Sequence, residues 1–283
     1  MAKSFCHQVL PAAVDASLLS EDSPLAAFVD TDGAAATVGS LHAAFPDHFQ
    51  HAFAAKANTM RAALELVRSL GMQCEVASPG ELEQALRAGF EPAQIVFDEP
   101  AKTVQVLKRV LELGVGLNLD NFQEFERVQA LLGGTESASS IGFRINPQVG
   151  SGDIAAMSTA TRFSKFGVAL KDADNRQKLI DCYARAPWLT TLHTHIGSQG
   201  CSLDLMAAGI RELVELAEEI NSTLGHQQVC LLDIGGGLPV NFDSEEVKPG
   251  FSDYAQVLQR QAPELFSGRY RVKTEFGRSV LAK

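Results

Sequence analysis

Along most of the chain, short unbroken apolar runs alternate with longer stretches in which apolar residues return every third or fourth position. An apolar run of about four to eight residues between turn residues fits a strand buried on both faces, and the longer period fits an amphipathic helix. Read this way, the sequence predicts strands over 51–56, 73–78, 95–98, 115–120, 141–146, 189–195, 229–234 and 271–276. It predicts helices over 60–70, 79–88, 101–113, 122–132, 172–185, 203–224 and 252–265. Helix starts carry cap chemistry: Ser78-Pro79-Gly80-Glu81 is a capping box with proline at the first helical position, and Asn121 with Glu124 has the same spacing. Strands alternating with helices imply a parallel sheet with helices outside it, and eight such strands are the number that closes a TIM-type (β/α)8 barrel.

Residues 1–25, with Pro11, Pro24 and the acidic pair Glu21-Asp22, show no such period and are expected to be irregular, leaving 26–283 as one α/β barrel domain. No repeat or low-complexity linker divides it. The longest insertion, 147–170, follows the fifth strand and is rich in Gly, Ser, Thr and Ala; a long loop inside a compact domain is usually functional or mobile.

Composition narrows the function by exclusion. A formal charge of -10 over 283 residues argues against a nucleic-acid partner, since little here would neutralise phosphates along a surface. No apolar run approaches the length of a bilayer span, so no membrane partner is expected. The start, Met1 to His7, lacks the apolar core of a secretory signal. Five cysteines without close pairs read as reduced thiols of a cytoplasmic protein, and their spacing suggests no metal site.

In a barrel of this type the chemistry lies at the C-terminal strand ends. Those ends offer Lys56, Glu75 with Ser78, Asp98, Asp120, Arg144 with Asn146, His193 with His195, Asp233 and Glu275. Such a rim is costly to bury without a ligand or mutual pairing, although strand ends are also where chains return to water. Lys56 closes the run Ala52-Phe53-Ala54-Ala55. Either it is an ordinary lysine reaching solvent, or its burial disfavours the ammonium and keeps the amine nucleophilic beside small alanines.

Two glycine turns sharpen the second reading. Gly235-Gly236-Gly237 follows Asp233-Ile234, and Gly277-Arg278 follows Glu275-Phe276. Consecutive glycines let backbone N–H groups converge on an anion, and an arginine fork suits phosphate oxygens. Loops after strands seven and eight are the usual phosphate site of these barrels. With His195 and Ser198 from His195-Ile196-Gly197-Ser198-Gln199, the set describes a pyridoxal 5'-phosphate site. Lys56 would hold the aldehyde, and Glu275 would keep the pyridine nitrogen protonated. The ring then accepts the electron pair released when CO2 leaves, which favours decarboxylation.

These motifs resemble those of the fold type III (alanine-racemase-fold) pyridoxal-phosphate decarboxylases, the group containing diaminopimelate, ornithine and arginine decarboxylases. The resemblance runs from about Pro24 to the C-terminus. Phe53-Ala54-Ala55-Lys56-Ala57-Asn58 looks like the cofactor-lysine motif, and Ser164-Lys165-Phe166-Gly167 like the family's loop after the fifth strand. His195–Gln199 looks like the motif whose histidine stacks on the cofactor, and Glu275-Phe276-Gly277-Arg278 like Glu-Pro-Gly-Arg. By resemblance Lys56, His195 and Glu275 are catalytic. Glu75, Arg144, Ser198, Gly235, Gly236, Gly237, Gly277 and Arg278 join them in binding the cofactor.

The resemblance further implies a small amino-acid substrate, a homodimer, and a proton donor from a partner-subunit cysteine outside this sequence. The Ile and Gln of the histidine motif favour a diaminopimelate decarboxylase of lysine biosynthesis. Alternatives are an ornithine/arginine decarboxylase-type polyamine enzyme, or a non-catalytic barrel that only binds the cofactor; a racemase is disfavoured because Glu275 stands where racemases place an arginine.

Several features depart from the family pattern. Phe276 replaces the usual proline, Glu75 replaces aspartate, and alternation puts Lys273 on the face of Glu275, where it could be a competing amine. The sequence ends at Lys283, where the eighth outer helix would begin, so that helix and the family's C-terminal β domain are expected to be missing from it, whether it is a fragment or a natural short form. One flank of the last strand is therefore expected to expose apolar surface and make the chain sticky.

Overall fold

The computed structural model describes residues 5–244 and 246–282. Eight strands form: β1 Phe49–Ala54, β2 Gln73–Val76, β3 Ile95–Phe97, β4 Gly116–Leu119, β5 Ile141–Asn146, β6 Leu189–Thr194, β7 Leu231–Asp233 and β8 Arg271–Phe276. All neighbours pair in parallel in chain order. The pairing of β8 with β1 (Phe49↔Val272 to Phe53↔Phe276) closes the circle, giving a (β/α)8 barrel. A further two-residue strand, Val168–Ala169, pairs with the end of β5 and folds part of the long loop onto the rim.

The outer helices are α3 Arg61–Ser69, α4 Pro79–Arg87, α5 Val104–Leu113, α6 Phe122–Leu132, α7 Asn175–Arg185, α8 Leu203–Leu224 and α9 Phe251–Gln261. The caps form as the residue types require: Ser78 Oγ accepts from Glu81 N at 3.2 Å and Asn121 Oδ1 from Glu124 N at 2.9 Å. Glu81 and Glu124 reach one residue beyond the cap, accepting from Ala77 N and Asp120 N. Each cap thereby ties its helix to the preceding strand end, where the site lies. None of the described helices is long and apolar enough to cross a membrane.

Two expectations are corrected. The segment 1–25 is not wholly irregular, because Phe5–Asp15 forms helix α1 through Pro11. Proline withholds only its own N–H from the helical ladder, and packing that buries Ala13 helps to hold the segment. The flank of β8 is not bare either. A helix absent from the sequence reading, α2 Thr31–Ala44, packs between α9 and α3. It buries Val38 and Leu41, and Phe45 behind it meets Phe49 and Tyr254. Val272 and Phe276 are fully buried, with Phe251 and Tyr254 edge-on to Phe276. Small residues surround α2 on most sides, so its apolar period is faint, but its cap is orthodox: Asp30 Oδ1 accepts from Gly33 N at 2.9 Å. After β8 comes the short helix α10, Arg278–Leu281.

Candidate active site

A cavity of about 680 Å³ opens at the C-terminal strand ends. Its walls bring together Lys56 after β1, His195 and Ser198 after β6, Gly237 after β7, and Glu275, Gly277 and Arg278 at β8. Ala27, Phe28 and Val29 also line it, from a segment that carried no sequence signal, and so does Met157 of the long 147–170 loop. Glu75, Arg144, Gly235 and Gly236 are not on its walls; they lie behind it and hold the wall residues. Lys273 is absent from the walls as well, so the competing-amine reading has no access to the cavity.

β1 ends at Ala54, and Ala55–Ala57 turn as a single 3₁₀ helix that carries Lys56 past the strand end. The amine lies 2.7 Å from Glu75 Oε2, with 51% of the lysine side chain exposed and none of the glutamate's. Burial alone would lower the lysine pKa, but Glu75, then Glu275 and Asp98, outweigh it and hold the amine as ammonium above its ordinary value. This corrects the expectation that desolvation keeps Lys56 a free amine: the acids beneath it decide its charge. Burial pushes the Glu75 carboxyl up to about 7 against the pull of Lys56, with Glu275 and Asp98 adding to the rise.

His195 is pushed down to about 3 by burial, then by Lys56 and Arg144, so its imidazole is neutral at physiological pH. Its Nδ1 accepts from Gly236 N at 3.2 Å, which leaves the proton on Nε2. Glu275 lines the same cavity, and its surroundings favour the carboxylate. Burial works against it, but His193 outweighs burial and holds its pKa down at about 2.

At the glycine end, Arg278 Nη1 donates to Gln199 Oε1 at 3.2 Å. Gln199 also donates to the Val240 carbonyl and accepts from Val240 N, so it aims the arginine by tying two rim loops together. The glycines serve packing as well as any anion. A Cβ at Gly236 would lie 1.7 Å from the Glu275 carbonyl oxygen, and at Gly237, with φ +96, 1.9 Å from that of Gly197. Gly236→Ala is therefore expected to cost about 3 kcal/mol or more and to lower the thermal midpoint by about 5–10 °C. An unchanged midpoint in calorimetry would show that this contact can relax.

Behind the walls runs a buried ionic chain. Arg144 Nη1 lies 2.7 Å from Asp98 Oδ2, Asp98 Oδ1 3.3 Å from His193 Nδ1, and His193 Nε2 3.5 Å from Glu275 Oε2. Phe166 of the Ser164–Gly167 loop places its ring 4.7 Å from the Arg144 guanidinium, and Gly167 N donates to Asp120 Oδ1 at 2.9 Å. That loop packs behind the site, and none of its four residues lines the cavity. Asp98 and His193 were visible in the sequence only as rim residues; the inward phase of their strands was the available signal.

Residues 35–282 match the family described as "Pyridoxal-dependent decarboxylase, pyridoxal binding domain". The chain belongs to this family of pyridoxal-dependent decarboxylases, and its cofactor is pyridoxal phosphate. It is 32% identical over 238 residues to diaminopimelate decarboxylase of Pseudomonas aeruginosa, covering 81% of this chain and 54% of that protein. To the Zymomonas mobilis diaminopimelate decarboxylase it is 30% identical, covering 82% of this chain and 54% of the relative. The crystal structure of diaminopimelate decarboxylase from Helicobacter pylori complexed with L-lysine superposes with a TM-score of 0.77 at 26% identity, over 89% of this chain and 63% of that one. The chain thus spans about half the length of the curated relatives it matches.

The residues fit the cofactor. The cavity suits a phosphorylated pyridine ring, an amine stands at one wall, and Oε1 of Glu275 has no hydrogen-bond partner among the described residues.

Proposed function

We propose that this chain is the cofactor-holding barrel of an amino-acid decarboxylase acting on diaminopimelate, a step of lysine biosynthesis. The observation that carries the reading is that Glu275, held ionised, shares one cavity with the amine of Lys56. Bound pyridoxal phosphate supplies an electron sink for the pair left when a carboxylate departs as CO2.

The protein's own groups do the rest. Lys56 would hold the aldehyde end, and Glu75, 2.7 Å from its amine, would take up or return that amine's proton. The Glu275 carboxylate would accept the ring N–H. His195, neutral, covers the ring face without adding charge. Ser198, the N–H groups of Gly237 and Gly277, and Arg278 would hold the phosphate, with Gly235 and Gly236 shaping the bend and Arg144 supporting from below. The choice of diaminopimelate rests on the relatives at 30% identity and above; ornithine and arginine are the alternative substrates.

A homodimer and a cytoplasmic location belong to the same reading. Leu25 and Met60 flank the cavity-lining segments and are exposed, which suits burial by further protein, and Cys74, Cys182, Cys201 and Cys230 are free thiols.

The test is CO2 release from diaminopimelate, ornithine and arginine by the chain with added pyridoxal phosphate. Release is expected from diaminopimelate first. Release from ornithine or arginine alone would reassign the substrate, and cofactor binding without release from any would make the chain a binding barrel.

A further inference from the structure

The ionic chain behind the cavity has a function of its own, which rests on the role proposed above for Glu275. His193 lies on β6, with Arg144 as its Cα partner on β5 and Asp233 on β7. Its side chain is fully buried and does not reach the cavity. It stands between two carboxylates, 3.3 Å from Asp98 and 3.5 Å from Glu275, and the three groups bring atoms within 4.8 Å of one another.

A neutral imidazole has one N–H and faces one acceptor; an imidazolium has two and can face both acids. Asp98 is itself held by Arg144 through its other oxygen at 2.7 Å, and the Phe166 ring covers that guanidinium. His193 is therefore fixed from behind. In front its Nε2 lies 3.5 Å from Oε2 of Glu275, a charge contact longer than a hydrogen bond, and the buried Oε1 has no hydrogen-bond partner among the described residues.

We propose that His193 is the positioning residue that keeps Glu275, on the cavity wall, an anion for the cofactor's ring nitrogen. Asp98 and Arg144 serve to hold the imidazolium in place. Burial would discharge His193, but Asp98, Glu275 and Asp233 outweigh it and hold its pKa well above the ordinary value.

The other ionisable groups facing this pair are Lys56 from the end of β1, Glu75 on β2, Asp98 beyond β3, Arg144 on β5, His195 beyond β6, Asp233 on β7 and Lys273 on β8. On Glu275 the pull of His193 exceeds the push of Asp98 and the pull of Lys56. Without His193, burial and Asp98 raise the Glu275 pKa, so the carboxylate takes up a proton at a higher pH than in the native protein.

The experiment is a pH titration of the visible spectrum of the full chain carrying pyridoxal phosphate, for the native protein, His193→Gln and Glu275→Gln. The native spectrum is expected to stay constant through weakly acidic pH. The His193→Gln spectrum is expected to match the native one at high pH and to convert to the Glu275→Gln form as pH falls, about 2 pH units or more above any native transition. Should His193→Gln fail to fold, His193→Phe removes the same charge while keeping a flat ring. A His193→Gln spectrum as constant as the native one, beside a distinct Glu275→Gln spectrum, overturns the role of His193 alone. A His193→Gln spectrum equal to Glu275→Gln at every pH overturns it too, since lost geometry and not lost charge would then be responsible. A Glu275→Gln spectrum identical to native overturns the role of Glu275 and this inference with it.

Discussion

Lys56→Ala is expected to abolish the visible absorbance that pyridoxal phosphate develops on the native chain, and with it all CO2 release. Among the described residues no other amine lines the cavity: Lys273 is buried outside its walls, so no described lysine is placed to take over the aldehyde. The fold should survive, because half of the Lys56 side chain is exposed and it packs no core. The partner left behind, Glu75, is fully buried, and its carboxyl is already raised to about 7 by burial against the pull of Lys56. Removing that pull raises it further, so Glu75 takes a proton and no uncompensated charge is stranded. Far-UV circular dichroism should be unchanged while the visible band is gone; a band that persists would mean that another lysine holds the cofactor. In the native protein cofactor capture should accelerate as pH rises. Attack needs the free amine, and Glu75, Glu275 and Asp98 hold Lys56 protonated above its ordinary value, so each step up in pH enlarges the reactive fraction. Capture that slows as pH rises would contradict this assignment.

The largest loss of stability at a site remote from the cofactor is expected from Lys102→Met. Lys102 Nζ lies 2.8 Å from Glu124 Oε2, with 0% and 1% of the two side chains exposed. The amine also donates to the Glu99 carbonyl, and Lys102 N donates to Glu124 Oε1 at 3.0 Å. Glu124 therefore joins the loop after β3 to the start of α6, where it also accepts from Asp120 N. Methionine fills the volume but leaves a carboxylate buried without its cation, which costs about 3–5 kcal/mol. Denaturant unfolding should show that loss. The double variant Lys102→Met/Glu124→Leu should recover part of it, because two apolar groups replace both charges. A loss below about 1 kcal/mol, the range of exposed pairs, would show that water reaches the site.

How much of this protein could be read without coordinates depends on the range of the interaction. Strand and helix order, the caps at Ser78 and Asn121, and the gathering of Lys56, Ser198, Gly237 and Arg278 on one rim all follow from period, turn chemistry and the rule that barrel sites lie at strand ends. Each is a property of a few neighbouring residues or of topology, so it survives without knowing distances. α2 was hidden because small residues blur its apolar face; what holds it is the groove between α3 and α9, formed by segments far away in the chain.

Charge states belong to the same distant class. The sequence placed an amine beside alanines and suggested a free base, but the barrel set Glu75 at 2.7 Å and reversed the outcome. His193 looked like one more rim residue until folding put Asp98 and Glu275 on either side of it. Even the triple glycine changed meaning, since the limit at Gly236 is a carbonyl on the adjacent strand. Local pattern and turn chemistry thus chose the barrel and its chemical inventory. Which groups are ionised, and which residues stand behind those that touch the cofactor, was decided by tertiary packing, because Coulomb and contact energies depend on separations of a few ångströms between residues remote in the chain.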